Sequence, residues 1–285
     1  MSETIFVREV FDSLIWRSAA GAVLSLAIAG YAWRKRSLSG GGFAAAVACG
    51  TLSSAGSWRL ALILVAYFLA ATTISRLTGS ERLPDVARLV AKGDRRDAIQ
   101  VAANGGIYSV LALLAGLLDQ PVLVAGALGA LAASSSDTWA TAIGTRFGGR
   151  PRLITTGVRV PRGQSGGVTT AGVAGALAGS GIVTALAMML GFTRGLALAS
   201  LVAGVCGSTV DSLLGATVQE RRWCDRCDEP TERKFHVCGD VTRCIGGIQN
   251  IDNDVINLLS TLAGSVSGMT VYWFVGRLAG SITVG

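Results

Sequence analysis

The stretch GALAASSSDTWAT, residues 129–141, places a small or polar residue at every fourth position: Gly129, Ala133, Asp137 and Thr141. At 3.6 residues per turn these share one face of a helix. A face without bulk lets a neighbouring helix come close, which is how helices associate where lipid removes the hydrophobic drive. Two further segments carry the same stripe: Gly167, Ala171, Gly175 and Gly179, then Ala199, Ala203, Gly207, Asp211 and Gly215. A packed helical bundle accounts for the glycines. It leaves the two aspartates unexplained.

Composition agrees with a bundle in a membrane. Of 285 residues, 51% are hydrophobic and 15% charged, mean hydropathy is +0.52, and 38 residues are Gly. That balance argues against a soluble monomer, and it excludes intrinsic disorder, which needs few apolar residues and many charges. About eight apolar segments approach the length of a bilayer-crossing helix, at 15–33, 40–56, 58–75, 102–118, 121–141, 166–190, 195–217 and 255–276. The expected fold is all-α, a polytopic helical membrane protein with seven to eight transmembrane helices forming one integral membrane domain over 1–285.

The net charge of +7 would suggest nucleic acid in a soluble protein, but 20 of the 25 Lys and Arg fall in four connections, 34–36, 76–97, 142–164 and 218–253. With eight spans all four lie on one side, which the positive-inside rule makes cytoplasmic. The expected location is therefore the cytoplasmic membrane, with no nucleic-acid partner. The amino terminus carries Glu3, Glu9 and Asp12 against Arg8 and lacks the basic region that opens a secretory signal, so the first apolar segment reads as a retained span.

Asp137 lies toward the loop end of the fifth segment, Asp211 lies within the seventh, and Asp254 heads the eighth in DNDVIN at 252–257. A carboxylate near membrane depth costs at least a few kcal/mol unless it faces a polar cavity, a cation or a metal. Neither Asp137 nor Asp211 has a Lys or Arg within one helical turn. Three helices aiming acids inward at the same leaflet would build a negative site that a divalent cation such as Mg²⁺ satisfies. For Asp254 a capped or paired helix end is an equal alternative. Asn253 and Asn257 flank it, and Asn257 shares its helix face; amide oxygens are acceptable Mg²⁺ ligands, although capping explains Asn253 equally well.

The loop after Asp137 reads GTRFGGRPR at 144–152 and RVPRGQSGGVTT at 159–170, with five arginines and a glycine-rich turn before the sixth helix. Backbone N–H groups at that helix's start and the guanidinium forks could converge on phosphate. A basic turn that simply faces the cytoplasm has the same composition, and without Gly-Lys-Ser/Thr this is no Walker loop. Gln100 and Asn104 add two polar groups on one face of the fourth segment, suited to capping or interhelical hydrogen bonds as well as to ligand contact.

Six cysteines are too few for a disulfide scaffold. Cys49 and Cys206 lie in apolar segments and read as small buried hydrophobes. The other four follow Cys224-x2-Cys227-x8-His236-x-Cys238-x5-Cys244. That pattern suits a structural zinc knuckle in the 218–253 loop, held by Cys224, Cys227, Cys238 and either Cys244 or His236; free or redox-sensitive thiols are the alternative. His236 is the one histidine, which argues against a histidine acid or nucleophile.

Together SSSDTWATAIGTRFGG at 134–149, RVPRGQSGGVTTAG at 159–172, GSTVDSLLGATVQ at 207–219, NDVINLLS at 253–260 and, more weakly, QVAANGG at 100–106 resemble the transmembrane protein 19 and plant phytyl-phosphate kinase family of integral membrane proteins. The same order is distantly similar to CTP-using lipid enzymes such as phosphatidate cytidylyltransferase and dolichol kinase. It differs from them in having Arg162 without a Lys, and Asp254 with Asn257 in place of two aspartates.

The resemblance implies a phosphotransferase that converts an isoprenoid monophosphate, phytyl or geranylgeranyl phosphate, to the diphosphate with CTP. Asp137, Asp211 and Asp254 would be the catalytic acids, holding Mg²⁺. Thr138, Arg146, Arg162, Gly163, Gly166, Gly167, Thr169, Asn104, Asn253 and Asn257 would contact nucleotide and phosphate, and the prenyl chain would lie between helices. Two readings compete: a cytidylyltransferase attacking the α-phosphate of CTP, and a transporter with acids midway along Gly-rich helices.

Overall fold

Helix starts are set by residues that accept the free N–H groups of a first turn. The computed structural model describes residues 13–93 and 95–282; the acidic residues Glu3, Glu9 and Asp12 lie outside the described residues. Ser13 opens α1 (Leu14–Arg34), Ser39 opens α2 (Gly40–Gly56), and α3 (Trp58–Thr78) follows at once. A short α4 (Pro84–Leu89) precedes α5 (Ala98–Leu118), where Asp97 and Gln100 form a reciprocal capping box. Pro121 starts α6 (Pro121–Phe147), Thr169 caps α7 (Thr170–Met189), Thr193 caps α8 (Arg194–Thr217), and α9 is Asn253–Ile282.

Six of these helices, α1, α3, α5, α7, α8 and α9, are long and apolar enough to cross a membrane by length and composition. That is fewer than the seven to eight expected, and the two other long helices fall short for different reasons. At 17 residues α2 spans about 26 Å, less than a hydrocarbon core. In α6 the run Ser134-Ser135-Ser136-Asp137 lowers apolarity, and that helix is buried continuously from Ala125 to Ser136.

The core forms around α6, which packs against α3, α5, α7, α8 and α9, while to one side α2 packs on α5 and α1 on α2. Leu60, Ile63, Tyr108, Leu128, Leu131 and Val183 fill it. Small residues permit the close crossings. A Cβ on Gly129 would strike the backbone of Gly264, and one on Gly179 the backbone of Ser135. At these crossings the α6 hydroxyls reach across: Ser135 donates to the Gly179 carbonyl at 2.8 Å and Ser136 to Ala176 at 2.9 Å. The outer surface is the reverse of a soluble protein's, with Val23, Leu24, Leu62, Leu69, Val173 and Leu177 exposed.

The four charged connections meet at one end of the bundle. Ser37 and Ser39 pair with the Arg96 backbone, and the Glu232 N–H donates to the Leu89 carbonyl. In the connection after α6, β1 (Arg152–Leu153) pairs antiparallel with β2 (Gly167–Val168). In the connection after α8, β3 (Arg221–Cys224) lies between β4 (Glu229–Thr231) and β5 (Arg243–Gly246).

Candidate functional site

Asp137 sits about 15 Å along the axis from the end of α6, Asp211 six residues before the end of α8, and Asp254 in the first turn of α9. The small-residue stripes bring these three helices together: a Cβ on Gly207 would press on Ala133 and on the Ser260 carbonyl. All three carboxylates therefore line one cavity of about 460 Å³.

The acids are not equivalent. The Asp137 and Asp211 side chains lie within hydrogen-bonding reach of one another. The Asp211 Oδ2 is buried without a hydrogen-bond partner, and among the described residues no Lys or Arg pairs with either acid. A buried oxygen facing a second carboxyl with no cation nearby is a donor set that fits a hard divalent ion. Asp254, 4% exposed, is held differently: the Lys92 ammonium bridges it to Asp97, 2.6 Å from the Asp97 Oδ2. Burial alone would lower the Lys92 pKa, but the hydrogen bonds and charges of Asp254 and Asp97 outweigh it and raise it. For Asp97, burial is opposed by the Gln100 backbone N–H and by Lys92, and the net direction is down.

The glycine-rich turn lines the same cavity. Arg162, Gly163, Gly166, Gly167 and Thr169 lie on the cavity wall with Thr138, Asn104, Asn253 and Asn257. Gly166 has φ +79°, and a Cβ there would come 2.5 Å from the Ala216 backbone nitrogen, so the turn seats directly on α8. The Thr169 hydroxyl accepts from the Gly172 N–H at 2.9 Å, capping α7 and aiming that helix's positive end at the cavity. The Arg162 Nε is 3.9 Å from the Asp85 Oδ2, a loose and half-exposed pair that leaves the guanidinium available.

Several residues are placed otherwise than the sequence suggests. Arg146 stands apart from the cavity, exposed in the last turn of α6, because the helix rotates it outward while Gly144 and Thr145 face in. The Asn104 amide is already engaged: its Nδ2 donates to the Gln100 carbonyl at 2.9 Å, and its Oδ1 accepts from Ser134 at 2.7 Å. Capping of α9 falls to Asp252, whose Oδ1 accepts from the Asp254 and Val255 N–H groups, which frees Asn253.

Sequence reasoning passed over Lys92, Ser165 and Glu232, all on the cavity wall. Lys92 had a signal, being the one lysine in the 76–97 connection. Glu232 had none, since only the fold carries it from the cysteine loop to the cavity. Its Oε1 accepts from the Ser165 hydroxyl at 2.7 Å and from the Gln219 Nε2 at 2.8 Å. Burial pushes the Glu232 pKa up, against the lowering effect of Ser165, the Ala91 N–H and Gln219.

In the connection after α8, Cys224, Cys227, His236 and Cys238 offer ligand atoms all within 4.8 Å of one another. Cys244 stands apart on β5, exposed, with its thiol 3.6 Å from the Gly246 carbonyl. Of the two candidates for the fourth position, His236 is therefore the one in place.

A family profile described as Integral membrane protein DUF92 matches residues 23–265. Protein PGR of Arabidopsis thaliana is 30% identical over 287 residues, covering 91% of this chain and 98% of its own length. Membrane protein MJ0933 of Methanocaldococcus jannaschii is 27% identical over 217 residues, 75% of this chain and 77% of that one. Protein VTE6, chloroplastic, of Arabidopsis thaliana is 24% identical over 270 residues, 91% of this chain and 73% of its own. No solved structure matches the chain.

Proposed function

The chain belongs to the DUF92 family of integral membrane proteins, and from that premise we propose that it is a CTP-dependent prenyl-phosphate kinase, forming a diphosphate at the cytoplasmic face of its membrane. One observation carries the reading: acids from α6, α8 and α9 and a basic glycine-rich turn line a single cavity at the loop end of an apolar bundle. Acids alone would suit a cation pathway. Acids sharing a cavity with a turn of amides and a loosely paired guanidinium suit a cation carrying phosphates.

In this reading Asp137, Asp211 and Asp254 hold Mg²⁺, which supplies neutralisation of charge on the phosphate oxygens when bound. Arg162 and the N–H groups from Gly163 to Thr169 orient the transferring phosphoryl group. The acceptor is already an anionic phosphate and needs little general-base help, in keeping with a cavity wall that carries no histidine. Lys92, on the cavity wall with its charge held by Asp254 and Asp97, adds a second cation beside the polyphosphate. The prenyl chain lies toward lipid where the cavity wall includes the exposed Val173 and Leu177 of α7.

The test is purified protein with Mg²⁺, CTP and geranylgeranyl phosphate. Formation of the prenyl diphosphate with CDP is the expected result. Pyrophosphate release would assign nucleotidyl transfer instead, and flux into vesicles without nucleotide turnover would assign transport.

A further inference from the structure

The 218–252 connection carries a group of ligands that phosphoryl transfer does not use. We propose that Cys224, Cys227, Cys238 and the Nδ1 of His236 bind one structural zinc ion, and that this knuckle positions Glu232, which fastens the glycine-rich turn at Ser165. Neither part depends on which reaction the cavity performs.

The distances fit. A tetrahedral zinc with Zn–S near 2.3 Å and Zn–N near 2.0–2.1 Å sets sulfurs about 3.8 Å apart and sulfur to nitrogen about 3.5 Å apart. The Cys224 and Cys238 sulfurs are 3.6 Å apart, and the His236 Nδ1 is 3.3 Å from the Cys238 sulfur. The far ring nitrogen of His236, Nε2, is 3.1 Å from the Glu229 Oε1. That is ion-pair distance without a well-aligned hydrogen bond, since both atoms are otherwise buried and unpartnered. A carboxylate behind a histidine fixes the ring with Nδ1 free to ligate. His236 and Cys224 are buried, so these two ligand atoms are shielded from solvent.

The connection to the cavity is short. Glu229 and Glu232 bracket β4, so the strand that supports the histidine delivers the buried carboxylate three residues later. The Thr231 hydroxyl donates to the Arg88 carbonyl at 3.0 Å and the Glu232 N–H to the Leu89 carbonyl at 2.8 Å, fixing the strand on α4. Glu232 then ties Ser165 of the turn to Gln219 at the end of α8. It is a positioning residue: it acts on phosphate only through the turn. A 35-residue connection with three short strands has little apolar interior of its own, which is where a metal substitutes for a core.

The experiment uses the full chain in detergent, purified without chelator, then stripped and resupplied with Zn²⁺ or Co²⁺. Elemental analysis should give one zinc per chain in the wild type and in Cys244→Ser, and well under half of one in Cys227→Ser. The cobalt form should show the intense visible bands of a tetrahedral thiolate site. Hydrogen exchange should show faster exchange of amides 163–169 when zinc is stripped, and the same in Glu232→Gln with zinc retained. A wild type that takes up neither metal overturns the site, whether or not Cys227→Ser folds. Equal zinc loss in Cys244→Ser overturns the ligand set. Unchanged exchange at 163–169 in both the stripped protein and Glu232→Gln overturns the link to the turn.

Discussion

Replacing Asp211 with Asn should make the metal-free protein more stable and the metal-loaded protein less so. Asp137 and Asp211 face one another with no cation beside them, and the Asp211 Oδ2 has no partner. Two unit charges 4 Å apart repel by about 4 kcal/mol at an effective dielectric of 20, and rotation of the side chains and sharing of a proton between the carboxyls relieve much of that, leaving roughly 1–2 kcal/mol to be gained by neutralising one. In a chain of this size each kcal/mol moves the melting temperature by about 2–4 °C. In EDTA, Asp211→Asn should therefore melt about 2–8 °C above wild type. With Mg²⁺ the order reverses: an ion at a hundred times its Kd stabilises the wild type by about 2.7 kcal/mol, and the variant should gain almost none of it. The assay is intrinsic fluorescence during heating in detergent, with EDTA and then a Mg²⁺ titration. Turnover should fall by about 10²–10³. A variant that melts lower in EDTA, or one that keeps the full Mg²⁺ shift, would show that these acids serve the packing of α6 on α8 and hold no ion.

Three further outcomes follow from the same geometry. Gly166→Ala must place a Cβ at φ +79° against the Ala216 backbone and should cost about 1–3 kcal/mol, read as a lowered melting temperature. Arg162→Ala should lower turnover by about 10², whereas Arg146→Ala should leave it within about twofold; equal losses would contradict the placement of Arg146 outside the cavity. Lys92→Met strands the 4%-exposed Asp254 and, with the lysine itself about one-third exposed and screened, should cost about 1–2 kcal/mol. The pH dependence of that deficit has a definite sign. The raised Lys92 pKa makes its contribution complete below 10.5 and lost as pH rises through the folded value, while the lowered Asp97 pKa makes its part complete above 3.8 and lost as pH falls through the folded value. The deficit should thus be flat from about pH 7 to pH 9 and shrink in acid, where a stranded carboxylate takes up a proton, and a melting series that slopes between about pH 7 and pH 9 would refute the pairing.

The helices were legible because lipid imposes one rule on every span. Each apolar segment marked in the sequence holds one long helix, and Gly40–Gly56 keeps even its expected boundaries. Six of the eight are apolar and long enough to cross on those grounds alone; apolarity along α6 is interrupted by the serines that bond to α5 and α7. The acids could be read for a similar reason: an aspartate on a small-residue stripe has no purpose in packing. The rest depended on contacts that periodicity does not carry. Rotation about α6 decides that Thr145 faces inward and Arg146 outward. Strand pairing of β3 with β5 decides that Cys244 misses the cysteine group, and the fold of a connection decides that Glu232 reaches Ser165.

No residue of α1 or α2 lines the cavity, while its three acids come from α6, α8 and α9. During synthesis Asp137 leaves the ribosome 117 residues ahead of Asp254, an interval of roughly 6–23 s at ordinary rates. By its end α5, α7 and α8 have packed on α6, but the helix that closes the third side of the acidic cavity is still missing. The insertion machinery, or water held at that face, has to keep it company until the carboxyl-terminal helix arrives.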